Sequence, residues 1–174
     1  MLKKLAGLLA CLGIAFGAMM LFTAERSFEV DNRQVVAHPA ASVWAVLADV
    51  DRWPAWWPGV EEARLESGWR PGAALALVLK GTPERRPARI EAVVAGRRMS
   101  WVRDGVLGSL TRTSLDLEPL GGETRVTLKS TIHGPQAFMA GFTGKEEFAM
   151  YHRAVLTRLE LRLDGGGPVS GGTP

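Results

Sequence analysis

The stretch that most constrains this chain is residues 35–60, VVAHPAASVWAVLADVDRWPAWWPGV, which holds four of the six tryptophans. Strand-favouring valines open it. Pro39 ends that strand, because the residue before a proline, here His38, is pushed out of the helical region. Apolar residues then recur at helical spacing. Asp51 suits the N-cap of a second short helix, and Pro58 ends that helix. The stretch therefore predicts a strand followed by two short helices.

This pattern closely resembles the opening of START-like helix-grip domains, in particular the polyketide cyclase/dehydrase branch of the SRPBCC superfamily. The shared residues are Pro39, Val43–Trp44, Leu47, Asp49 and the Trp-Pro-x-Trp segment at 53–56. The resemblance implies an α+β helix-grip fold: a curved antiparallel sheet of about six or seven strands wrapped on a long C-terminal helix, with an apolar cavity between them. It also implies an apolar ligand, such as a lipid, sterol or polyketide, and provides no family-wide catalytic residue.

Alternation of apolar and polar residues predicts the strands of that sheet. Short turns rich in glycine and proline separate them, so we expect an antiparallel meander in which successive strands pair. The strand after the two short helices interleaves acids with apolar residues, which is typical of an edge. The candidate strands are residues 27–38, 60–66, 72–81, 87–94, 99–103, 110–117 and 124–133.

The last element is helical in pattern over residues 136–163, with Phe148, Val155 and Leu159 on one face and Tyr151 or His152 between them. Thr143 and Glu146 fit a capping box, which would let the helix begin only at that point. The preceding segment would then be a mobile flap, weakened as a helix by nearby glycines. One interpretation is that its apolar side chains form a gate over the cavity, opened by contact with lipid; the alternative is that they pack on the sheet as a rigid helix turn. These gate candidates are Phe138, Met139 and Phe142.

The N-terminal segment is apolar over a length that suits a membrane. Residues 5–23 contain no charged residue and follow Lys3 and Lys4, and such a run can cross a bilayer core of about 30 Å as a helix. We expect residues 1–24 to be a transmembrane anchor or an uncleaved signal. A cleaved secretory signal is the alternative, but the run is longer than the usual ~7–15 residues and no clean cleavage site ends it.

The two lysines also predict how the chain is oriented. By the positive-inside rule the N-terminus lies in the cytoplasm, so the protein would be single-pass in the inner (cytoplasmic) membrane. Its folded domain, residues 25–164, would face the periplasm or the outside. Residues 165–174 are rich in glycine and proline, and we expect a disordered tail. The oligomeric state is not predicted.

Several classes of function find no support in the composition. The net charge is only +3 and the arginines are scattered along the strands, so no nucleic-acid partner is predicted. Cys11 is the only cysteine, which excludes an internal disulfide and a cysteine-based metal site. The three histidines are far apart in sequence and lack metal-binding spacing. We therefore predict neither a metal nor a cofactor.

What remains is a cavity with a few inward polar groups, the usual form of a small-molecule site. Arg103 shares a strand face with an aromatic residue, and Tyr151 and His152 lie on the helix face that the sheet should grip. A histidine and an arginine in an apolar pocket could act on a carbonyl substrate; the alternative is that these side chains end in solvent. The tryptophan cluster is either core and rim or a ligand platform. The cavity candidates are Trp101, Arg103, Thr113, Ser130, Tyr151 and His152.

Three functions are compatible with these observations. The first is a membrane-anchored domain that binds a lipid or another apolar small molecule. The second is a cyclase or dehydratase of a polyketide-like substrate, which fold analogy alone suggests. The third is a non-catalytic interaction module whose cavity is filled by side chains. We assign no catalytic residue and favour the binding function over the enzyme.

Overall fold

The computed structural model of the chain describes residues 7, 11–14, 17–18, 27–81, 87–105 and 108–165, and for residues 138–143 it describes the backbone alone. In this described part, no helix is long and apolar enough to span a membrane. The described residues before residue 24 are helical. Most of the predicted anchor and, except for residue 165, the predicted tail lie outside the described residues.

From residue 27 onwards, the described chain forms one antiparallel sheet of seven strands and three α-helices. A 3₁₀ turn, Val50–Arg52, joins the first two helices. The strands are β1 (Ser27–Val36), β2 (Val60–Leu65), β3 (Ala74–Leu79), β4 (Ala88–Val94), β5 (Arg98–Asp104), β6 (Leu110–Leu120) and β7 (Glu123–His133). The helices are α1 (Ala40–Ala48), α2 (Trp53–Trp56) and α3 (Pro135–Leu163).

The strand order is β1-β7-β6-β5-β4-β3-β2, so β2 to β7 form the predicted meander. The first strand departs from that simple order, because it pairs with β7 rather than with β2. The two short helices carry the chain from one edge of the sheet to the other. This connection makes β2 the opposite edge, and the sheet curls around α3.

Alternating side chains give the sheet one buried face, which packs against α3. On β7 this face comprises Val126, Leu128, Ser130 and Ile132, as the alternation predicts. On α3 the buried stripe comprises His152, Val155, Leu156 and Leu159. Both patterns follow from the direction of successive side chains, which repeats every two residues in a strand and every 3.6 residues in a helix. The predicted helix-grip arrangement of sheet and C-terminal helix is confirmed.

The helical pattern predicted over residues 136–163 is confirmed, because α3 begins at Pro135. The later start that the capping box at Thr143 allowed is wrong. Gly134 precedes α3 with a φ of 87°, a backbone conformation that glycine tolerates. Pro135 occupies the first turn, where its missing N–H costs nothing. The Gln136 N–H donates to Ser109 Oγ at 2.9 Å. This cap comes from a distant residue, so the local capping box at Thr143 is not used as a helix start.

The tryptophans of the opening motif differ in burial. Trp53 is 1% exposed and donates its indole N–H to the Leu47 carbonyl oxygen at 3.0 Å. Trp44 is only half-buried and packs against the edge of the core. The core anchors of α1 are instead Val43 and Leu47, both fully buried. Trp53, rather than Trp44, is therefore the most deeply buried tryptophan of the motif.

Candidate functional site

A cavity of about 410 Å³ lies between the inner face of the sheet and α3. Small-molecule sites in proteins typically have volumes of about 300–1,000 Å³. The walls are mostly apolar, with hydroxyl and charged side chains at a few positions. They consist of Trp53, Trp57, Gly59, Val60, Leu77, Leu79, Lys80, Trp101, Arg103, Thr111, Thr113, Leu128, Ser130, Glu147, Phe148, Tyr151 and His152.

The six predicted cavity candidates all line this one cavity. Three form a row across the sheet, because Trp101 lies opposite Thr113 and Thr113 lies opposite Ser130. Arg103 is two residues further along β5, opposite Thr111. The two remaining candidates come from α3, on the other side of the cavity. The structure thus brings the six together, while their contact with a ligand stays a prediction.

His152 is a buried polar group within this apolar setting, with 1% of its surface exposed. Its Nε2 lies 2.9 Å from Ser130 Oγ, which in turn lies 3.4 Å from Thr113 Oγ1. Burial lowers the pKa of His152 from 6.5 to about 4, and the negative charge of Asp31 acts in the opposite direction. Its Nδ1 has no hydrogen-bond partner among the described residues. The imidazole is therefore neutral near pH 7, with one ring nitrogen unpaired.

Tyr151 connects α3 to the second short helix. The Trp57 indole N–H donates to the Tyr151 hydroxyl at 2.8 Å. Burial raises the pKa of Tyr151, while this hydrogen bond and the positive charge of Arg103 act in the opposite direction. Arg103 and Tyr151 both line the cavity.

Three tryptophans form an aromatic wall of the cavity. The ring centroids of Trp53 and Trp57 lie 4.6 Å apart, and those of Trp53 and Trp101 lie 5.5 Å apart. Trp57 and Trp101 meet edge to face at 6.1 Å. Such pairs stabilise one another beyond their buried area. The same rings that hold α2 on the sheet therefore also face the cavity, so core and ligand platform are not exclusive roles.

This geometry agrees with a comparison against models of protein families. Residues 27–164 match the family described as polyketide cyclase / dehydrase and lipid transport. The chain belongs to this family. The match covers the whole described sheet and α3, so the family domain contains the cavity and all six candidate residues. The SRPBCC, START-like resemblance of the opening motif is thereby confirmed.

Two similar solved structures come from bacteria, both at low sequence identity. A hypothetical protein from Helicobacter pylori has a TM-score of 0.67 at 14% identity, over 78% of this chain and 87% of that one. A START superfamily protein from Mycobacterium smegmatis has a TM-score of 0.61 at 14% identity, over 79% and 97%. At such identities the likeness shows the fold alone.

A third similar structure is DynU16, a protein encoded in the dynemicin biosynthetic locus. It has a TM-score of 0.62 at 19% identity, over 80% of this chain. The chain spans only 48% of the length of DynU16. The comparison with curated protein sequences found no match.

Sequence reasoning left several cavity residues of this family domain unassigned. Thr111 could have been found, because it lies two residues from Thr113 and so shares its strand face. Phe148 could have been found as well, because it lies on the predicted face of the helix that carries Tyr151 and His152. The place of Trp57 in the wall depends on how α2 folds over the sheet, which no local pattern shows. Among the described residues, no three histidine, cysteine, aspartate or glutamate side chains lie close enough together to hold a metal ion. The side chains of the gate candidates, Phe138, Met139 and Phe142, lie outside the described residues.

Proposed function

We propose that this chain binds an apolar small molecule, such as a lipid, in the cavity between its sheet and α3. The observation that carries the proposal is the open volume of about 410 Å³ behind an aromatic and aliphatic wall. An apolar ligand placed there loses its contact with water, which stabilises the complex by about 25 cal/mol per Å² of apolar surface buried. The few hydroxyl and charged groups on the wall would orient the ligand.

The same volume argues against a module whose cavity is filled by its own side chains. Thr113 and Ser130 occupy the centre of the inner face, where a larger apolar residue would have closed the space. Both side chains are short and carry hydroxyl groups. A chain that needed only a packed interior would gain stability from filling such a space, because empty volume costs about 24 cal/mol per Å³.

The proposal can be tested with a neutral apolar probe that quenches tryptophan fluorescence on contact, ω-bromododecanol. The full chain, kept in solution by an amphipathic polymer, should show saturable quenching, because three tryptophans line the cavity. Thr113→Phe places a ring in the cavity and should weaken binding at least tenfold. Thr131→Phe is the matched control, since Thr131 follows Ser130 on β7 and faces away from the cavity.

Loss of affinity in Thr113→Phe but not in Thr131→Phe supports binding in the cavity. Equal affinity in both variants, or quenching that never saturates, contradicts it. Circular dichroism and thermal unfolding of both variants would establish that each keeps its fold.

We further propose that residues 1–24 tether the domain to the inner membrane, with the domain on the periplasmic side. The support is the uncharged run of residues 5–23 after two lysines. A reporter that functions only outside the cytoplasm should be active when it is fused after residue 174. A reporter that functions only in the cytoplasm should be inactive at the same position. Activity of a cytoplasm-specific reporter at that site contradicts the proposed orientation. A mature chain that begins near Glu25 contradicts the tether, but it agrees with export of the domain from the cytoplasm.

A cyclase or dehydratase activity is the second candidate, favoured by one specific observation. His152 is neutral at pH 7 and is held at 2.9 Å from Ser130, so its imidazole could accept a proton from a substrate in the cavity. Arg103 could stabilise an enolate formed in this way. Turnover of a linear poly-β-ketone that His152→Gln abolishes, with binding retained, would establish this activity.

A further inference from the structure

We propose that this cavity binds an uncharged apolar molecule that carries a carbonyl oxygen within its chain, and that the Thr113 hydroxyl donates a hydrogen bond to this oxygen. His152 is a positioning residue in this assignment, because it acts on Thr113 through Ser130. The inference deepens the proposed binding function and rests on it. It concerns one polar group of the ligand, whereas the binding proposal concerns the apolar body.

The first observation is a line of three hydrogen-bonding side chains that interrupts an apolar surface. On the inner face of β7, Ser130 lies between Leu128 and Ile132, which are both fully buried. Ser130 Oγ lies 2.9 Å from His152 Nε2 on α3 and 3.4 Å from Thr113 Oγ1 on β6. The line therefore joins an imidazole at the seam of sheet and helix to a hydroxyl group in the cavity wall.

Burial decreases along this line from the imidazole to the threonine. His152 is 1% exposed and Ser130 is 6% exposed, whereas Thr113 is half-buried. Thr113 also lies opposite Trp101 on β5, which belongs to the aromatic wall. Thr113 is thus the member of the line that is most open to a ligand lying against the tryptophans.

The unpaired nitrogen of His152 sets the direction of the hydrogen bonds. The imidazole is neutral at pH 7, because burial lowers its pKa to about 4, so only one of its nitrogens carries a hydrogen. Nδ1 is buried and has no partner among the described residues. Among backbone groups, a buried N–H without a partner is rarer than an acceptor without one. The same preference places the histidine hydrogen on Nε2, which has a partner.

With the hydrogen on Nε2, every group in the line donates towards the cavity. His152 donates to Ser130 Oγ, so the hydroxyl hydrogen of Ser130 is left for Thr113 Oγ1. The hydroxyl hydrogen of Thr113 then finds no acceptor within the line and is available to the ligand. All three groups are uncharged at pH 7, and an anion buried without a charged partner is costly. A carbonyl oxygen therefore fits this donor better than a carboxylate does.

The test compares ω-bromododecanol with three analogues that carry a keto group at carbon 4, 6 or 8 of the chain. Each probe carries bromine at the far end, so each reports insertion among the tryptophans by quenching. Thr113→Val removes the hydroxyl group with little change of side-chain shape. Near pH 7 it should weaken at least one ketone at least fivefold and the alcohol by less than twofold, as expected for the loss of one hydrogen bond.

Thr131→Val is the matched control, because Thr131 lies on the other face of β7. It should leave the affinity for every probe unchanged. Comparing each variant with the wild type for one probe at a time removes the partition of that probe into the amphipathic polymer. Circular dichroism would establish that both variants keep the fold.

The direction of the line has its own measurement, independent of any ligand. Nitrogen NMR of the full chain with labelled histidine distinguishes the two neutral tautomers, and the His152 signals are identified by their loss in His152→Gln. We expect the hydrogen on Nε2 at pH 7. A hydrogen on Nδ1 would reverse the line and overturn donation by Thr113.

The quenching outcomes distinguish this inference from the binding function itself. Equal weakening of the alcohol and all three ketones by Thr113→Val, or no weakening of any of them, overturns the carbonyl contact and leaves apolar binding intact. Failure of all four probes to quench the wild type overturns the binding function and the carbonyl contact together. Selective weakening of a ketone in Thr113→Val, absent from Thr131→Val, supports the assignment.

Discussion

His152 is an ionisable side chain held in the seam between α3 and the sheet. Burial lowers its pKa from 6.5 to about 4, so the unfolded chain binds a proton at a higher pH than the folded chain does. Stability contributed by the neutral imidazole is therefore fully present above about pH 6.5 and is lost as the pH falls towards 4. With 1.36 kcal/mol per pKa unit, the loss amounts to about 3 kcal/mol in total.

Urea unfolding of the wild type and of His152→Leu at a series of pH values would isolate this effect. The carboxyl groups titrate in both proteins, so their contribution to the pH dependence cancels in the comparison. We expect the free energy of unfolding of the wild type to fall more steeply between pH 6.5 and pH 4 than that of the variant. Parallel curves would show that the folded state binds the proton as readily as the unfolded chain does.

Trp53 and Trp44 provide a second comparison between single side chains. Trp53 is fully buried, packs in tilted contact with two cavity tryptophans and donates to the Leu47 carbonyl oxygen. Trp53→Ala should therefore cost about 3–5 kcal/mol of unfolding free energy. Trp44→Ala should cost less than half as much, because its ring is only half-buried. Equal losses in urea unfolding would mean that the first two helices are placed incorrectly.

Among the elements, α3 begins with a segment that contains two glycines. Gly141 and Gly144 lie within it, and each weakens a helix by about 1 kcal/mol relative to alanine. We predict that backbone amides of residues 136–143 exchange hydrogen faster than those of 150–160, and that lipid vesicles change their exchange. This is the behaviour expected of a gate that includes Phe138, Met139 and Phe142.

Hydrogen exchange of the full chain, with and without phospholipid vesicles, would decide this. Residues 150–160 serve as the internal control, because they contain the buried stripe of the same helix. Equal protection of the two segments, with no response to vesicles, would exclude the gate.

Most elements could be predicted from residue patterns, because each pattern depends on local geometry. Alternation placed all seven strands, since burial of one sheet face forces a period of two. The residue pattern did not choose between the two possible starts of α3, because the cap on Gln136 comes from Ser109, 27 residues earlier. The pairing of β1 with β7 likewise depends on the path of the chain through α1 and α2 rather than on any local signal.

The same distinction explains the candidate site. Trp101, Thr113 and Ser130 were predicted because each points to the inner face of its own strand, and register then aligns them in one row. The hydrogen bond between Trp57 and Tyr151 was not predictable, because it joins residues 94 positions apart through tertiary packing. Strand patterns thus predict which residues face inward, and only the fold shows which of them meet.

At the level of the whole molecule, the sheet and α3 enclose space without filling it. The family to which the chain belongs is described by both cyclase / dehydrase activity and lipid transport, so membership alone does not choose between chemistry and binding. The side chains of the cavity wall are what distinguishes a binding function from a catalytic one. The apolar tryptophan side of this wall supports the proposed binding of an apolar molecule.

Native mass spectrometry of the full chain, gently extracted from cells that naturally produce it, tests this account most directly. We predict a mass above that of the chain alone, from an apolar molecule that is released on unfolding. The bound mass should be absent from Thr113→Phe and present in Thr131→Phe. A wild-type chain that carries no bound molecule in any preparation would contradict a ligand-binding cavity. A bound mass that Thr113→Phe leaves unchanged would also contradict it.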